Sequence, residues 1–301
     1  MMLDRTAVIL DTDIGSDIDD AVCLAYLLRQ PRCELIGITT VSGDTVKRAG
    51  LAEVVCRASG REDVPIYAGA TGPLLAGPGQ PYVPQYEAIA HQSHRTDYTP
   101  GAAIEFLRQT IYARPHQITL LGIGPLTNLA LLFASDPALP SLLKEVVLMC
   151  GVFTAGNGHG PGATEWNALV DPLATAMVFR ARPPRFTAVG LEVTTRCVLP
   201  ADDCRERFTR AGGPLSVVAA MAEVWFRGAP TITFHDPLAA AVLFEPDLCQ
   251  YETGAVEVEV ANSPVAGLTR FTPAPDGGIH QIATDVDAGR FFAHCFDVVG
   301  G

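Results

Sequence analysis

The chain has 301 residues, a length that suits one large α/β domain or two smaller ones and is enough to bury a substantial core. Hydrophobic residues make up 48% of the sequence and charged residues only 18%, which is typical of a compact globular protein and argues against disorder. The net charge is −12, with Lys47 and Lys144 as the only lysines, so a polyanionic partner such as nucleic acid is not expected.

Short β-branched runs alternate with longer helical stretches from the start of the chain. "TAVILD" predicts a strand, and "DIDDAVCLAYLLRQ" predicts a helix whose first turn carries acids that suit its positive N-terminal end. "CELIGITTV" predicts the next strand, and "DTVKRAGLAEVVCRASG" a helix that ends at Gly60. The helices "AAIEFLRQTIYA" and "PLTNLALLFAS" flank the strand "QITLLGIG", and "KEVVLMCG", "DPLATAMVFRA" and "RFTAVG" continue the alternation.

Near-continuous apolar strands joined by helices predict an α/β fold with a mainly parallel, doubly wound, Rossmann-like sheet covered by helices on both faces. The ligands of such sheets bind beyond the carboxyl ends of the strands. Four polar loops follow predicted strands: "DTDIGSDIDD", "SGD", "GIGPLTN" and "CGVFTAGNGHG". We therefore expect these loops to form a common site.

Two stretches interrupt the alternation. Residues 70–100 are rich in Gly, Pro, His and Tyr and predict a long loop or lid, a feature that is usually functional or mobile. The C-terminal third predicts helices over about 201–229 and a small β-meander over 253–284, with turns at "ANSP" and "PDGG". Because no linker or internal repeat is evident, we expect residues 1–301 to form a single domain.

The eight cysteines are scattered, without a C-x-x-C motif or paired histidines, and several lie in apolar runs. This pattern favours reduced thiols over zinc ligands or disulfides. The segment "MMLDRTAVIL" lacks the apolar core of a signal peptide, and no stretch approaches the roughly 20 apolar residues of a membrane span. We expect a cytoplasmic protein with no membrane partner.

Five aspartates are crowded into residues 11–20, at the junction of the first strand and first helix. Such charges repel one another and are costly to bury unpaired, so a positive group is expected among them. Asp11 and Asp13 end the strand while Asp19 and Asp20 begin the helix, so the turn directs both pairs towards one point. Helix capping alone would explain Asp17, Asp19 or Asp20, but not the pair on the strand. Since Ca²⁺ takes six to eight oxygen ligands, the cluster predicts a metal site.

A second interpretation is an aspartyl phosphatase of the haloacid dehalogenase type, in which the first Asp of a D-x-D motif is the nucleophile. That chemistry expects a threonine shortly after the motif and a later lysine that steadies the phosphoryl group. Here "IGS" follows Asp13, and neither lysine precedes a second acidic loop. The net charge also provides no basic cradle for phosphate, so the residues disfavour this interpretation.

Two later motifs add polar side chains. "EWN" (residues 165–167) lies in a Gly-rich loop near Asn157, and its carboxylate and amide groups suit hydrogen bonds to vicinal hydroxyls, with Trp166 able to cover an apolar ligand face. The alternative is a turn with one buried Trp. "FHDP" places His235 and Asp236 at a predicted helix N-terminus, where a lone His is more often structural and an Asp before Pro more often a cap.

In combination these motifs resemble a known family. "DTDIGSDIDDA", "VSGD", "GIGPLTNLA", "VVLM", "EWN" and "HDP" occur in the order found in inosine/uridine-type nucleoside N-ribohydrolases, over roughly Val8 to Phe244. The resemblance implies a Ca²⁺-dependent hydrolase that splits a small-molecule ribonucleoside into ribose and free base. Together with the apolar helix "PLSVVAAMAEVWF", it also implies a homodimer or homotetramer.

The resemblance also implies roles for individual residues. Asp13 matches the general base, which also binds the metal, and Asp11 is expected behind it, holding the turn. The metal ligands implied are Asp13, Asp20, the backbone carbonyl of Ile123, and Asp236. The substrate-binding residues implied are Asp19, Asp44, Asn157, Glu165, Trp166, Asn167 and Asp236. His235 matches the histidine that, in purine-active members, is placed to protonate the leaving base.

The scheme is chemically coherent, because carboxylates stabilise an oxocarbenium-like state while the metal acidifies water and Asp13 takes its proton. The chain also departs from the family pattern. Ile14 replaces a proline, two extra residues that include Asp17 lengthen the aspartate loop, and Cys150 replaces a glycine. Asp44 stands where some members have Asn.

The predicted lid lacks the family's base-recognition signature and offers "AHQSHRTDY" instead, in which the candidate residues are His91, His94 and Tyr98. Two alternatives therefore stay open. One is a related hydrolase acting on a modified or non-standard ribosyl compound. The other is a ribose- or metal-binding protein without turnover, which would require the base to be missing, although Asp13 is present.

Overall fold

The computed structural model describes residues 5–154, 163–261 and 263–300. Its strands are β1 (Thr6–Thr12), β2 (Cys33–Thr40), β3 (Ile66–Ala68), β4 (Ile118–Gly122), β5 (Glu145–Met149), β6 (Phe186–Val189), β7 (Val198–Pro200), β8 (Thr231–Thr233), β9 (Cys249–Val258), β10 (Thr269–Pro273) and β11 (His280–Val286). Its α-helices are α1 (Asp19–Arg29), α2 (Thr45–Ala58), α3 (Ala102–Ala113), α4 (Thr127–Ser135), α5 (Leu139–Leu142), α6 (Trp166–Val170), α7 (Pro172–Phe179), α8 (Leu191–Thr194), α9 (Ala201–Ala211), α10 (Pro214–Trp225), α11 (His235–Ala241) and α12 (Ala288–Gly300).

The main sheet has the strand order β10-β9-β11-β6-β5-β4-β1-β2-β3. Strands β1 to β6 and β11 run parallel, and β9 pairs antiparallel with β10 and β11. Helices cover both faces, so the predicted α/β, mainly parallel architecture is confirmed. The C-terminal strands predicted near residues 253–284 extend this sheet, with β9 between β10 and β11. The short strands β7 and β8 form a separate antiparallel pair.

Burial explains why the central strands lack an alternating pattern. Every residue of β4 and β5 is buried, because helices pack on both faces of the sheet. In β1, Val8 and Leu10 face one hydrophobic core cluster, while Ala7 and Ile9 face the other on the opposite side. Helix α1 is buried from Asp19 to Leu28 and contacts α2, α10, α11 and α12. This deep position carries its first-turn acids into the interior.

The predicted lid region is irregular apart from a 3-10 helix at Pro84–Ala88. The helices predicted over about 201–229 are present as α9 and α10. All eight cysteines belong to the described residues, and each is buried as a free thiol. No described helix is long and apolar enough to cross a membrane.

Candidate active site

A cavity of about 620 Å³ lies beyond the carboxyl ends of β1, β4 and β5. This is the edge of a parallel sheet at which α/β proteins bind ligands. Six carboxylates line the cavity: Asp13, Asp17, Asp19, Asp20, Glu165 and Asp236. They come from the β1–α1 loop, from helix α1, and from the N-termini of α6 and α11, so segments far apart in sequence supply them.

We call the aspartates that line this cavity, namely Asp13, Asp17, Asp19, Asp20 and Asp236, the acidic floor. Its centre is formed by Asp19, Asp20 and Asp236. One carboxylate oxygen from each lies within 4.8 Å of the other two, and all three residues are buried. The backbone N–H of Asp236 donates to Oδ2 of Asp19 at 3.0 Å, which joins the first turns of α11 and α1. Thr12, at the end of β1, donates its hydroxyl to Oδ1 of Asp20 at 2.5 Å. The oxygens of this floor are the donor type that hard cations bind.

Asp13 reaches the same cavity from the end of β1 and is 6% exposed. Its close neighbour across the sheet edge is Gly124, where an added Cβ would lie 2.9 Å from the backbone nitrogen of Asp13 and 3.0 Å from its Oδ1. Glycine at position 124 therefore allows the "GIG" loop to approach the aspartate loop closely. This contact explains why the loop after β4 contains that residue.

Burial without a compensating cation raises the pKa values of the floor carboxylates. Desolvation is the largest cause, and neighbouring carboxylates add to it, so the pKa values of Asp19, Asp20 and Asp236 rise well above 3.8. The pKa of Asp17 rises to about 6. Burial also raises the pKa of Asp13, while the charge of Arg48 lowers it. Positive charge is therefore needed to keep the group ionised near neutral pH.

Arg48 contacts the aspartate loop of the candidate site, and the sequence reasoning did not single it out. It is 0% exposed, and its guanidinium donates to the backbone carbonyl of Asp13, to that of Ile14 at 3.1 Å and to the hydroxyl of Ser16 at 2.9 Å. It supplies one positive charge next to the crowded aspartates. The available signal was an arginine in the otherwise largely apolar helix segment "VKRAGLAEVV".

Asp11 lies beneath the cavity and is completely buried. Its Oδ1 accepts hydrogen bonds from Thr39 at 2.5 Å and Asn128 at 2.7 Å, which links β1 to β2 and α4. Burial is the main reason that its pKa rises to about 7, and Asp13 contributes to the rise. Among the described residues, Oδ2 of Asp11 has no hydrogen-bond partner.

The "EWN" motif forms part of the wall of the same cavity. Glu165 caps α6, with one oxygen accepting from the N–H of Asn167 at 2.7 Å and the other from Ala168 at 3.0 Å and Gly151 at 3.1 Å. The side-chain amide of Asn167 donates to the carbonyl of Ile123 at 2.8 Å. A carbonyl oxygen has two lone pairs, so that of Ile123 keeps capacity for a second partner.

The family model described as inosine-uridine preferring nucleoside hydrolase matches residues 8–293. The chain belongs to this family. It is therefore an enzyme, a glycosyl hydrolase, and family membership assigns it to hydrolysis of the N-glycosidic bond of ribonucleosides. The predicted resemblance is confirmed, and the haloacid dehalogenase interpretation is wrong.

Relatives of known activity match most of the chain. Uridine nucleosidase 1 of Arabidopsis thaliana is 30% identical over 84% of this chain and 78% of its own length. The pyrimidine-specific ribonucleoside hydrolase RihA of Klebsiella pneumoniae is 33% identical over 87% of both chains. Among solved structures, the plant nucleoside hydrolase PpNRh1 superposes with a TM-score of 0.83 at 24% identity over 99% of both chains. A purine-preferring ribonucleoside hydrolase from Gardnerella vaginalis also gives 0.83 at 24% identity over 98% of both.

The structure of this nucleoside hydrolase brings most of the predicted site residues together. The predicted residues that line the cavity are Asp13, Asp19, Asp20, Ile123, Glu165, Trp166, Asn167, His235 and Asp236. Trp166 is 46% exposed, at the rim, so it is not the buried turn residue of the alternative interpretation. Nδ1 of His235 lies 2.7 Å from the hydroxyl of Thr194. Asn157 lies outside the described residues.

Asp44 occupies a different place from the predicted one. It caps helix α2, and its carboxylate accepts from the backbone N–H of Lys47 at 3.0 Å and from the Lys47 ammonium at 2.9 Å. It is partly exposed and is not among the described residues that line the cavity. The tight "SGD" turn thus uses this aspartate for helix capping, a role for which the residue type is strongly preferred.

The lid of the hydrolase contributes residues other than the predicted candidates. His91 is exposed, His94 is hydrogen-bonded to the hydroxyl of Tyr86 at 2.7 Å, and the buried Tyr98 donates to Glu53 at 2.8 Å. These three residues pack or project away from the described cavity lining, which the lid instead reaches through Gln80, Tyr82 and Pro84. The remaining wall comes from Leu191, Thr195 and Trp225. The sequence predicted the lid as a segment but did not indicate which of its residues, or which residues of the other segments, line the cavity.

Proposed function

We propose that this enzyme hydrolyses ribonucleosides to ribose and free base in a Ca²⁺-dependent reaction, with Asp13 as the general base. The observation that carries the proposal is the meeting of Asp13 with the buried cluster of Asp19, Asp20 and Asp236 in one cavity of a chain from this family. Uridine is the first substrate to test, because the relatives with 30% and 33% identity are named for uridine and pyrimidine ribonucleosides.

The residues present fit a divalent cation. Three buried carboxylates with raised pKa values lie within 4.8 Å of one another, and Arg48 adds a single positive charge. The donors of this cluster are carboxylate oxygens, which suit Ca²⁺ better than a soft metal. The ligands we propose are Asp13, Asp20, Asp236 and the carbonyl of Ile123. Asp19 also belongs to the carboxylate cluster, but we assign it to the sugar hydroxyls and not to the metal.

When bound, the cation would neutralise part of the carboxylate charge and make a neighbouring water more acidic. Asp13 then accepts the proton of the attacking water, a role worth about 10² to 10⁴ in rate for a positioned general base. As the N-glycosidic bond breaks, positive charge develops on the ribose ring. Asp19 on the floor and Glu165 on the wall stabilise that charge.

The remaining site residues orient the substrate. Asn167 and Glu165 present an amide and a carboxylate on the wall next to Met149, where their oxygens can accept hydrogen bonds from ribose hydroxyls. His235 faces the cavity from the N-terminus of α11, and Thr194 fixes one of its ring nitrogens. We assign His235 to protonation of the leaving base.

A second candidate is hydrolysis of a modified or non-standard ribosyl compound. Asp17, which belongs to the lengthened aspartate loop, lines the cavity and adds a further carboxylate to it. An additional negative group favours a base that carries hydrogen-bond donors or positive charge. The same assay decides between the two candidates when it contains both standard nucleosides and nucleosides with a cationic base.

We further propose that the hydrolase is cytoplasmic, consists of a single domain, and forms a homodimer or homotetramer. The eight buried free thiols are consistent with a reducing compartment. Light scattering of the purified protein measures the assembly directly, and a monomeric mass would overturn that part of the proposal.

The central experiment incubates the protein with uridine, cytidine, inosine and adenosine, with their 2′-deoxy counterparts as matched controls, and measures released reducing sugar. Release from at least one ribonucleoside is expected, with loss on EDTA treatment and recovery on addition of Ca²⁺. Activity that survives complete metal removal would refute the Ca²⁺ dependence. The absence of release from all four, with Ca²⁺ bound, would overturn the standard nucleosidase assignment.

A further inference from the structure

Helix α2 places the buried side chain of Arg48 among three segments that are distant from one another in sequence: the aspartate loop, the loop after β2 and the lid. Besides its bonds to residues 13–16, the guanidinium donates from Nε to the carbonyl of Ser42 at 2.7 Å. From Nη2 it donates to the carbonyl of Gln80 at 2.8 Å and to that of Tyr82 at 3.5 Å. One planar group thus holds the aspartate loop, the loop after β2, and the cavity-facing part of the lid.

The aspartate loop and the lid also contact each other directly around this centre. The hydroxyl of Ser16 donates to the carbonyl of Tyr82 at 3.1 Å, and the side chain of Gln85 donates to the carbonyl of Ser16 at 3.1 Å. Gly15 has φ +114°, and a Cβ added there would lie 2.5 Å from a methyl group of Val83. Gly15 and Ser16, which come just before the two extra residues of this loop, are therefore pressed against the lid.

The third segment is constrained in the same way. Ser42 has φ +69°, a conformation that non-glycine residues rarely adopt. Its hydroxyl accepts from the N–H of Gln80 at 2.9 Å while its carbonyl accepts from Arg48. A Cβ added to the adjacent Gly43 would lie 2.3 Å from the carbonyl of Gln80. Such a strained turn persists only where the surrounding contacts hold it.

We propose that Arg48 is a positioning residue that sets the backbone at Asp13 and the lid segment 80–82 in one arrangement, so that the acidic floor and the lid wall of the cavity are coupled. It contacts the floor through the carbonyl of Asp13 and the wall through the carbonyls of Gln80 and Tyr82, and all three residues line the cavity. The planar fork is essential, because it directs several N–H donors in different directions at once. A lysine would keep the charge but concentrate its donors on a single nitrogen.

The test substitutes Arg48→Lys and uses Arg57→Lys as a matched control. Arg57 lies on the same helix, bonds to Glu53, and donates to a lid carbonyl, that of Ser93, outside the described cavity lining. The steady-state part of the test rests on the proposed function. For Arg48→Lys we expect kcat to fall about 10²-fold, the loss typical of a displacement near 1 Å at the reacting groups, together with a rise in KM. Arg57→Lys leaves both constants unchanged.

Hydrogen–deuterium exchange provides a readout that does not depend on activity. Arg48→Lys is expected to speed exchange in residues 13–18 and 80–85 together, and Arg57→Lys in neither segment. A merely structural role would lower the folded fraction, speed exchange throughout the chain and leave KM unchanged, and this result would overturn the proposal. Faster exchange in one segment alone would also overturn it, because the two would not be coupled.

If Arg48→Lys fails to fold, Ser16→Ala replaces it, since it removes the hydroxyl that bonds both Arg48 and the lid. The expected result is the same paired change in exchange with a smaller loss of kcat, and unchanged exchange in both segments would refute the coupling. If the wild-type protein releases no sugar from any nucleoside, the proposed function fails, while the exchange experiment still decides the role of Arg48.

Discussion

The floor and the wall of the cavity differ in how they are built. The floor consists of buried carboxylates at strand ends and helix N-termini, with Asp19, Asp20 and Asp236 at most 4% exposed. The wall consists of side chains from irregular segments and helix ends, and it is more open, with Tyr82 77% and Trp166 46% exposed. Rigid scaffold elements thus hold the charged groups, while loops present the aromatic surface.

We infer from this difference that the floor determines the chemistry and that the wall determines the selectivity for substrates. Charges that must be buried need fixed partners, because an unpaired buried carboxylate is costly, and the sheet edge provides those partners. Aromatic side chains that contact a base can be supplied by any segment that reaches the cavity mouth, and they tolerate variation. We therefore expect substitutions of floor residues to lower activity with all substrates. Substitutions of residues near the nucleobase should lower activity with only some of them.

The largest expected effect is that of Asp13→Asn, which keeps the volume of the side chain but removes the base. Because a positioned general base contributes about 10² to 10⁴ in rate, kcat should fall by that factor with every ribonucleoside. Steady-state kinetics measures the loss, and circular dichroism checks that the fold is intact. Activity within about tenfold of the wild type would exclude Asp13 as the base and weaken the distinction between floor and wall.

The floor should also make stability depend on pH and on the cation. The floor carboxylates and Asp11 beneath them have folded-state pKa values above 3.8, at about 6 for Asp17 and about 7 for Asp11. As pH rises from about 4 to 7, the unfolded chain releases these protons first, so the metal-free protein loses stability over that interval. Ca²⁺ at about 100 times its Kd should restore about 2.7 kcal/mol.

Thermal unfolding in EDTA and in Ca²⁺ at several pH values measures this effect. We expect the Tm of the metal-free protein to fall as the pH rises from about 4 to 7, and the increment from Ca²⁺ to be larger at the higher pH. A Tm that is independent of Ca²⁺ at pH 8 would show that Arg48 alone compensates the floor.

At the base end, His235→Ala should affect purine nucleosides selectively. Loss of a general acid costs about 10²-fold or more, whereas a substrate whose leaving group is a weak base needs no proton. Comparing kcat for inosine with kcat for 4-nitrophenyl riboside measures the difference, and Thr194→Val, which removes the partner of Nδ1, should show the same selectivity at smaller magnitude. Equal losses with both substrates would show that His235, like the floor residues, acts on all substrates and does not serve as a general acid for the purine base alone.

The smallest effect is expected outside the cavity, from Asp44→Ala. Removing this cap of α2 should cost about 1 kcal/mol of stability and leave kcat and KM unchanged. Chemical denaturation and steady-state kinetics measure the two quantities. An increase in KM would return Asp44 to the substrate-binding residues that the family resemblance implied.

Much of the floor could be predicted because parallel strands end at one edge, so that a polar loop after each apolar strand already indicates which side chains meet. That reasoning pointed to Asp13 and Asp20, the family resemblance added Asp236, and all three line one cavity. It did not distinguish a ligand-binding role from a helix cap at Asp44, because an aspartate at a strand end is equally suited to cap the next helix. It gave no guidance on the lid candidates His91, His94 and Tyr98, because a long loop without periodicity does not indicate which of its residues turn inward.

The amino-acid sequence by itself determined the strand-helix alternation, the parallel sheet and the acidic character of its C-terminal edge, because periodicity and motif order are local properties that require no packing partner. Tertiary structure decided the rest. The place of Arg48 among three loops, the choice of Gln80 and Tyr82 as wall residues and the use of Asp44 as a cap depend on contacts between segments remote in sequence. Such contacts carry no periodic signal, so only the folded chain shows them.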